Sequence, residues 1–122
     1  MAQRLPPELE QLAIKYQQLE AQLTSVVTQK TAILSQIKEI ERALSVLQSI
    51  SDDATVYRNT GFVMVKVSKE EAVKDLENRK EELQIRLTSL EKMESMLKKQ
   101  LDEVKEKISK FRVGVNVGEK ES

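Results

Sequence analysis

Cysteine, histidine and tryptophan are all missing from this chain of 122 residues. Without cysteine there is no disulfide and no thiol nucleophile, and with histidine also gone the usual zinc ligands and the commonest general base disappear. Aromatic residues are scarce, two tyrosines and two phenylalanines, and with 33% of the residues charged a rich globular core is not expected. Proline occurs only at Pro6 and Pro7, and glycine only at Gly61, Gly114 and Gly118. Nothing therefore punctuates the long stretches on either side of Gly61. An excess of one charge is lacking too: twenty basic residues balance twenty acidic ones. The two signs are interspersed, so no broad field points toward nucleic acid or anionic lipid. The longest apolar run is Phe62 to Val65, far short of the ~20 residues that cross a bilayer. The start, MAQRLPPELE, has no signal-peptide core. These absences lead us to expect a soluble, cytoplasmic protein with no cofactor, no metal, no membrane contact and no nucleic acid partner.

What is present is a repeated pattern. From Leu9, residues fall at alternating steps of three and four: Leu9, Leu12, Tyr16, Leu19, Leu23, Val26, Lys30, Ile33, Ile37, Ile40, Leu44, Leu47. A second series runs Val73, Leu76, Lys80, Leu83, Leu87, Leu90, Glu94, Leu97, Leu101, Val104, Ile108, Phe111. Both are heptad seams with only three charged interruptions, and Gln, Glu, Lys and Arg, good helix formers, fill much of the remainder. Pro6 and Pro7 suit a first helical turn, where the missing donor costs nothing. Ser68 with Glu71 makes an S-x-x-E capping box. The expected layout is one domain over 1–122: a helix over about 7–50, a β-hairpin over about 55–67, a helix over about 69–112 and a flexible tail over 113–122. The fold class is mainly α, a long antiparallel coiled-coil helical hairpin interrupted by a central β-hairpin.

The antiparallel reading can be checked within the sequence. If paired residue numbers add to 120, Leu47 meets Val73, Leu44 meets Leu76, and the layers continue to Leu9 opposite Phe111, a positions always facing d positions. Two parallel intermolecular coils would share the periodicity; the matched register favours the helical hairpin. Lys30, Lys80 and Glu94 occupy a positions, where charge sets register and partner choice at a cost in stability.

Between the seams lies TVYRNTGFVMVKVSKEE. Residues 55–58 and 62–67 are β-branched and aromatic, and Asn59-Thr60-Gly61 is turn material, so a hairpin with a three-residue loop centred on residue 60 is expected. A lone two-stranded hairpin is marginal in water. Val63, Val65 and Val67 alternate with Phe62 and Met64, so both faces carry apolar groups, as in a strand covered on two sides. Val56, Tyr57, Gly61, Phe62, Val63, Met64, Val65 and Val67 are thus the candidate assembly residues, expected to join the hairpins of other subunits in a shared sheet or intersubunit β-barrel.

LPPEL at 5–9, YQQL at 16–19 and above all DDATVYRNTGFVMVKVSKEEAVKDLE at 52–77 resemble the β-type subunits of prefoldin. The resemblance covers nearly the whole chain, and its most specific part is the central block. It implies an ATP-independent chaperone: a hexamer of two alpha-type and four beta-type subunits whose coiled-coil tips hold non-native client proteins. It also implies delivery of those clients to a group II chaperonin in the cytoplasm. A tip with that task needs apolar groups exposed in the native state. Leu5, Ile14 and Val113 lie off the seam, while Leu9, Leu12, Ile108 and Phe111 close its last layers, and these seven are the candidate client-binding residues. The plainer reading makes Ile14 a single surface hydrophobe and the end a mere tail.

Asp52 and Asp53 have no acid, base or nucleophile spaced to join them and read as a helix-ending turn, so no catalytic residue is assigned and no enzyme is expected. The competing reading is a structural coiled-coil adaptor docking defined partner helices. Such a spacer would want a soluble cap at its midpoint. A tRNA-contacting arm would want excess Lys and Arg, which the even charge count denies.

Overall fold

The computed structural model describes the backbone of residues 6–121 and the side chains of residues 6–111. The element order is α1 (Pro7–Ser49), β1 (Val56–Asn59), β2 (Met64–Val67) and α2 (Lys69–Glu121). The chain divides into two compact units, one formed by Met1–Gln29 with Leu90–Ser122 and the other by Lys30–Ser89.

Burial follows the heptads. Every described seam position is buried or half-buried, including the three charged ones. In the first unit Leu19, Val26, Leu90, Leu97, Leu101 and Val104 form the core; in the second it is Ile33, Ile37, Ile40 and Leu47, with the α2 seam residues half-buried beside them. Cross-helix side-chain pairs report the register inside each unit. Lys105 Nζ stands 5.9 Å from the Tyr16 ring centre in the first. In the second, Lys80 Nζ lies 3.4 Å from Glu41 Oε1 and Lys69 Nζ 3.2 Å from Asp52 Oδ1. All three pairs of residue numbers add to 121, one away from the sum that seam matching predicts. The segments of α1 and α2 therefore run antiparallel within each unit. On the exposed flank of α1, Thr24 and Thr28 donate their hydroxyls to the carbonyls four residues earlier at 2.9 Å, which lets these poor helix formers sit inside a helix.

The helix ends are held by identifiable groups. The Glu10 amide donates to the Pro6 carbonyl at 3.0 Å, so α1 starts on its prolines. The Glu71 amide donates to Ser68 Oγ at 3.0 Å, the serine half of the capping box. The last turn of α1 has no basic residue. Lys69 supplies the missing cation from the first position of α2, donating to the Ile50 carbonyl at 2.9 Å as well as to Asp52. A helix C-terminus carries partial negative charge, so this strap stabilises α1 while fixing where α2 begins. Asp52 and Asp53 lie in the turn that follows α1.

Two details differ from the reading of the sequence. α2 continues to Glu121 as helix, past the end expected near residue 112. No proline follows Phe111, so every residue keeps the amide that carries the i to i−4 ladder forward. Gly114 and Gly118 weaken a helix by ~1 kcal/mol each without terminating it, and neither takes the positive φ of a C-cap. The hairpin axis is also displaced. β1 and β2 pair with Val56 opposite Val67, Tyr57 opposite Lys66, Arg58 opposite Val65 and Asn59 opposite Met64. The Thr60 amide donates to the Val63 carbonyl at 2.9 Å, which carries the ladder one step further and leaves Gly61-Phe62 as a two-residue reversal. Gly61 has φ +99°, whereas no other described residue has positive φ, and this is the pattern of a II′ turn. The turn thus falls later than Asn59-Thr60-Gly61, because the ladder extends to Asn59 opposite Met64 and to the Thr60–Val63 bond. The connections to the helices are unequal as well, 50–55 on one side and Ser68 alone on the other.

Lys80 offers a direct test of what the seam charges do. Its side chain is 29% exposed and its partner Glu41 is 52% exposed, a setting in which an ion pair is worth under ~1 kcal/mol. Leucine there extends the apolar seam, so Lys80→Leu is expected to stabilise the fold by about 1–2 kcal/mol. A thermal melt that shows no rise in Tm would refute this.

Candidate functional site

Two surfaces carry the candidate residues, one in each unit. In the first unit the packing loosens toward the ends of the seams. Leu101 and Val104 are buried, whereas Leu9, Leu12, Tyr16, Ile108 and Phe111 are only half-buried. Ile14, on the outer face of α1, is 56% exposed. The last layers thus keep apolar surface in water although no charge competes for it in the seam. Leu5 and the side chain of Val113 lie outside the described residues. The structure adds a feature that periodicity left open. Met93 and Met96 stand exposed beside Leu97 at a cleft of about 310 Å³, and Gln22, Gln29 and Gln100 supply an uncharged rim. Flexible thioethers on an uncharged rim suit irregular apolar contacts.

In the second unit the hairpin presents its apolar residues to solvent. Phe62 is fully exposed at the turn, and Tyr57, Val63, Met64 and Val65 are all exposed. Val56 and Val67, at its base, are half-buried. The ladder register puts Val56, Arg58, Val65 and Val67 on one face and Tyr57, Asn59, Met64 and Lys66 on the other. Apolar side chains therefore occupy both faces, as the alternation predicts, but Phe62 belongs to the turn and to neither face. Asn59 Oδ1 accepts from the Gly61 amide at 2.9 Å and Thr60 Oγ1 donates to the Val63 carbonyl at 2.9 Å, so the turn is ordered by its own polar groups.

A tie from the hairpin to α2 escapes any local reading. Arg58 Nη1 lies 3.0 Å from Asp75 Oδ2. The two are seventeen positions apart, and neither spacing nor composition links them. The pair lines a cleft of about 500 Å³ together with Leu47, Asn59, Val67, Leu76 and Arg79.

Among the described residues no three carboxylates gather as a metal site, and no helix is long and apolar enough to cross a membrane. The two surfaces offer hydrophobic contact, one at half-open coiled-coil layers and one at a two-faced β-ribbon.

Comparison with known proteins gives matches over most of the chain. A family model described as a prefoldin subunit matches residues 10–112. The chain is 37% identical over 110 residues to prefoldin subunit beta of Pyrobaculum calidifontis, covering 90% of this chain and 87% of that one. It is 38% identical over 111 residues to prefoldin subunit beta of Saccharolobus islandicus, covering 91% and 88%. The crystal structure of the prefoldin beta subunit from Thermococcus strain KS-1 superposes with a TM-score of 0.82 at 33% identity, over 89% of this chain and 96% of that one. The beta2 subunit of the same strain, at 22% identity and a TM-score of 0.69, shares the fold. Seams, capped central hairpin and sequence similarity over nine-tenths of the length together place this chain in the prefoldin subunit family, among the beta subunits.

Proposed function

We propose that this chain works as one domain of an ATP-independent co-chaperone, a prefoldin beta-type subunit that is not an enzyme. Its hairpin joins those of alpha-type subunits and further copies of itself in a shared β-barrel, in a hexamer of two alpha-type and four beta-type subunits. The tip residues Leu5, Leu9, Leu12, Ile14, Ile108, Phe111 and Val113 hold non-native proteins, which pass to a group II chaperonin in the cytoplasm.

The observation that carries this reading is the exposure of the hairpin. Five apolar residues, Tyr57, Phe62, Val63, Met64 and Val65, stand in solvent on a two-stranded ribbon. Such a ribbon leaves both edges unpaired and both faces uncovered, a state that proteins avoid unless another strand completes the sheet. An adaptor that docks defined helices has no use for it. The half-buried last layers support the client reading, because the hydrophobic effect is non-directional and accepts any unfolded sequence.

Native mass with and without an alpha-type subunit tests the assembly: a mixed hexamer is expected with the partner, and a stable lone dimer would favour the adaptor. Changing Leu5, Ile14, Phe111 and Val113 together to serine tests the tip. Suppression of client aggregation is expected to be lost while the hexamer mass stays; unchanged suppression would refute the assignment.

A further inference from the structure

Phe62 is the most exposed of the large apolar residues among the described residues. It occupies the second central position of the turn, where no local requirement calls for an aromatic ring, and it is 100% exposed. At full exposure it makes no contact with the cleft of its own chain. A fully solvated phenylalanine on a rigid turn is the shape of an anchor residue, the kind that fills a partner's pocket.

The same chain carries a pocket of matching chemistry. The cleft that the Arg58–Asp75 pair helps to line has a volume of about 500 Å³ and an apolar lining that includes Leu47, Val67, Ala72 and Leu76. A benzene-sized ring needs on the order of 150 Å³, so the space admits one with room for the adjoining turn. Arg79 borders the cleft, and a guanidinium is a favourable neighbour for an aromatic face. The Arg58 charge is already neutralised by Asp75 at 3.0 Å, so an entering ring need not strip an uncompensated charge of water.

We propose that Phe62 of one copy of this chain inserts into the cleft between hairpin and helices of a second copy. The contact rests on the reading of the hairpin as the assembly module and deepens it, because it adds a specific anchor and pocket to generic strand pairing. Knob and pocket lie on one sequence, so each copy both gives and receives, and beta-to-beta contacts become distinguishable from contacts with the alpha-type subunit.

The test is a chain carrying Phe62→p-benzoylphenylalanine, an aromatic replacement at a position where the free chain touches nothing. It is assembled with an alpha-type subunit, irradiated, and mapped by mass spectrometry. The expected adduct joins two copies of this chain, at residues 43–47 or 72–79. Adducts confined to residues 60–66, which do not line the cleft, adducts to the alpha-type subunit, or no adduct in an intact complex would overturn the proposal and leave the assembly reading standing. If the unsubstituted chain forms no complex either, both fall. A second measurement does not depend on the photoprobe: Phe62→Ala and Arg79→Ala are each expected to weaken association of the complex about tenfold, as anchor residues do. Because they remove one shared contact, the double variant should weaken it by about the same tenfold. An effect near one-hundredfold for the double variant, or none for either single, would overturn the contact.

Discussion

Aspartate in place of Val104 is expected to unfold the unit formed by Met1–Gln29 and Leu90–Ser122. Val104 is 2% exposed, the lowest value in either core. The substitution removes burial worth ~1.5–3 kcal/mol and puts a carboxylate in a dry seam, which costs several kcal/mol more unless a cation reaches it. The sum is comparable with the whole stability of a small domain, ~5–15 kcal/mol. The core of Lys30–Ser89 rests on Ile33, Ile37, Ile40 and Leu47, none of which the change touches. Amide hydrogen exchange should therefore lose protection over residues 90–111 and keep it over 30–49. Equal protection in variant and parent over residues 90–111 would refute the argument. Ile85→Asp is the control, since Ile85 is 66% exposed on the outer side of α2 and surface changes of this kind stay within ~0.5 kcal/mol.

Val104 also shows why so much of this fold is legible in the sequence. A helix repeats its faces every 3.6 residues, so steps of three and four single out one stripe without knowledge of the partner. The stripe through Val104 and its counterpart through Val26 are where burial falls. Charged seam positions do not disturb the inference, because Lys80 has a stem to bury and Glu41 in reach. The hairpin was legible in kind and less so in detail. Asn59, Thr60 and Gly61 are all turn formers, and composition alone spreads the turn over the three. The structure decides through the ladder, since Asn59 pairs with Met64 and the Thr60 amide donates to the Val63 carbonyl, which leaves Gly61-Phe62 to reverse the chain. The Arg58–Asp75 tie was not legible, because a contact between elements seventeen residues apart depends on how the ribbon leans, which no local pattern encodes. At the other surface, the outward position of Ile14 followed from its heptad place. The partial exposure of Leu9 and Phe111 followed from their standing at the ends of the heptad series.

Met64→Glu together with Val65→Glu is expected to abolish assembly while leaving the single chain folded. The two residues point to opposite faces of the ribbon and both are well exposed in the free chain, at 67% and 45%. The monomer thus loses little, and Arg58, directly opposite position 65, is already paired with Asp75. In a shared barrel the same two positions would lie against neighbouring ribbons. There each carboxylate would be stripped of water, at a cost of several kcal/mol per site unless a cation answers it. Repetition in each copy multiplies that cost over the complex. Native mass should show only dissociated subunits, with helix content and Tm of the isolated chain nearly unchanged. Suppression of aggregation should fall with it at equal subunit concentration, as expected if weak contacts act together only when one body presents them. A complex that keeps its full mass with two new carboxylates on every copy of this chain would mean that the ribbon is not what joins them.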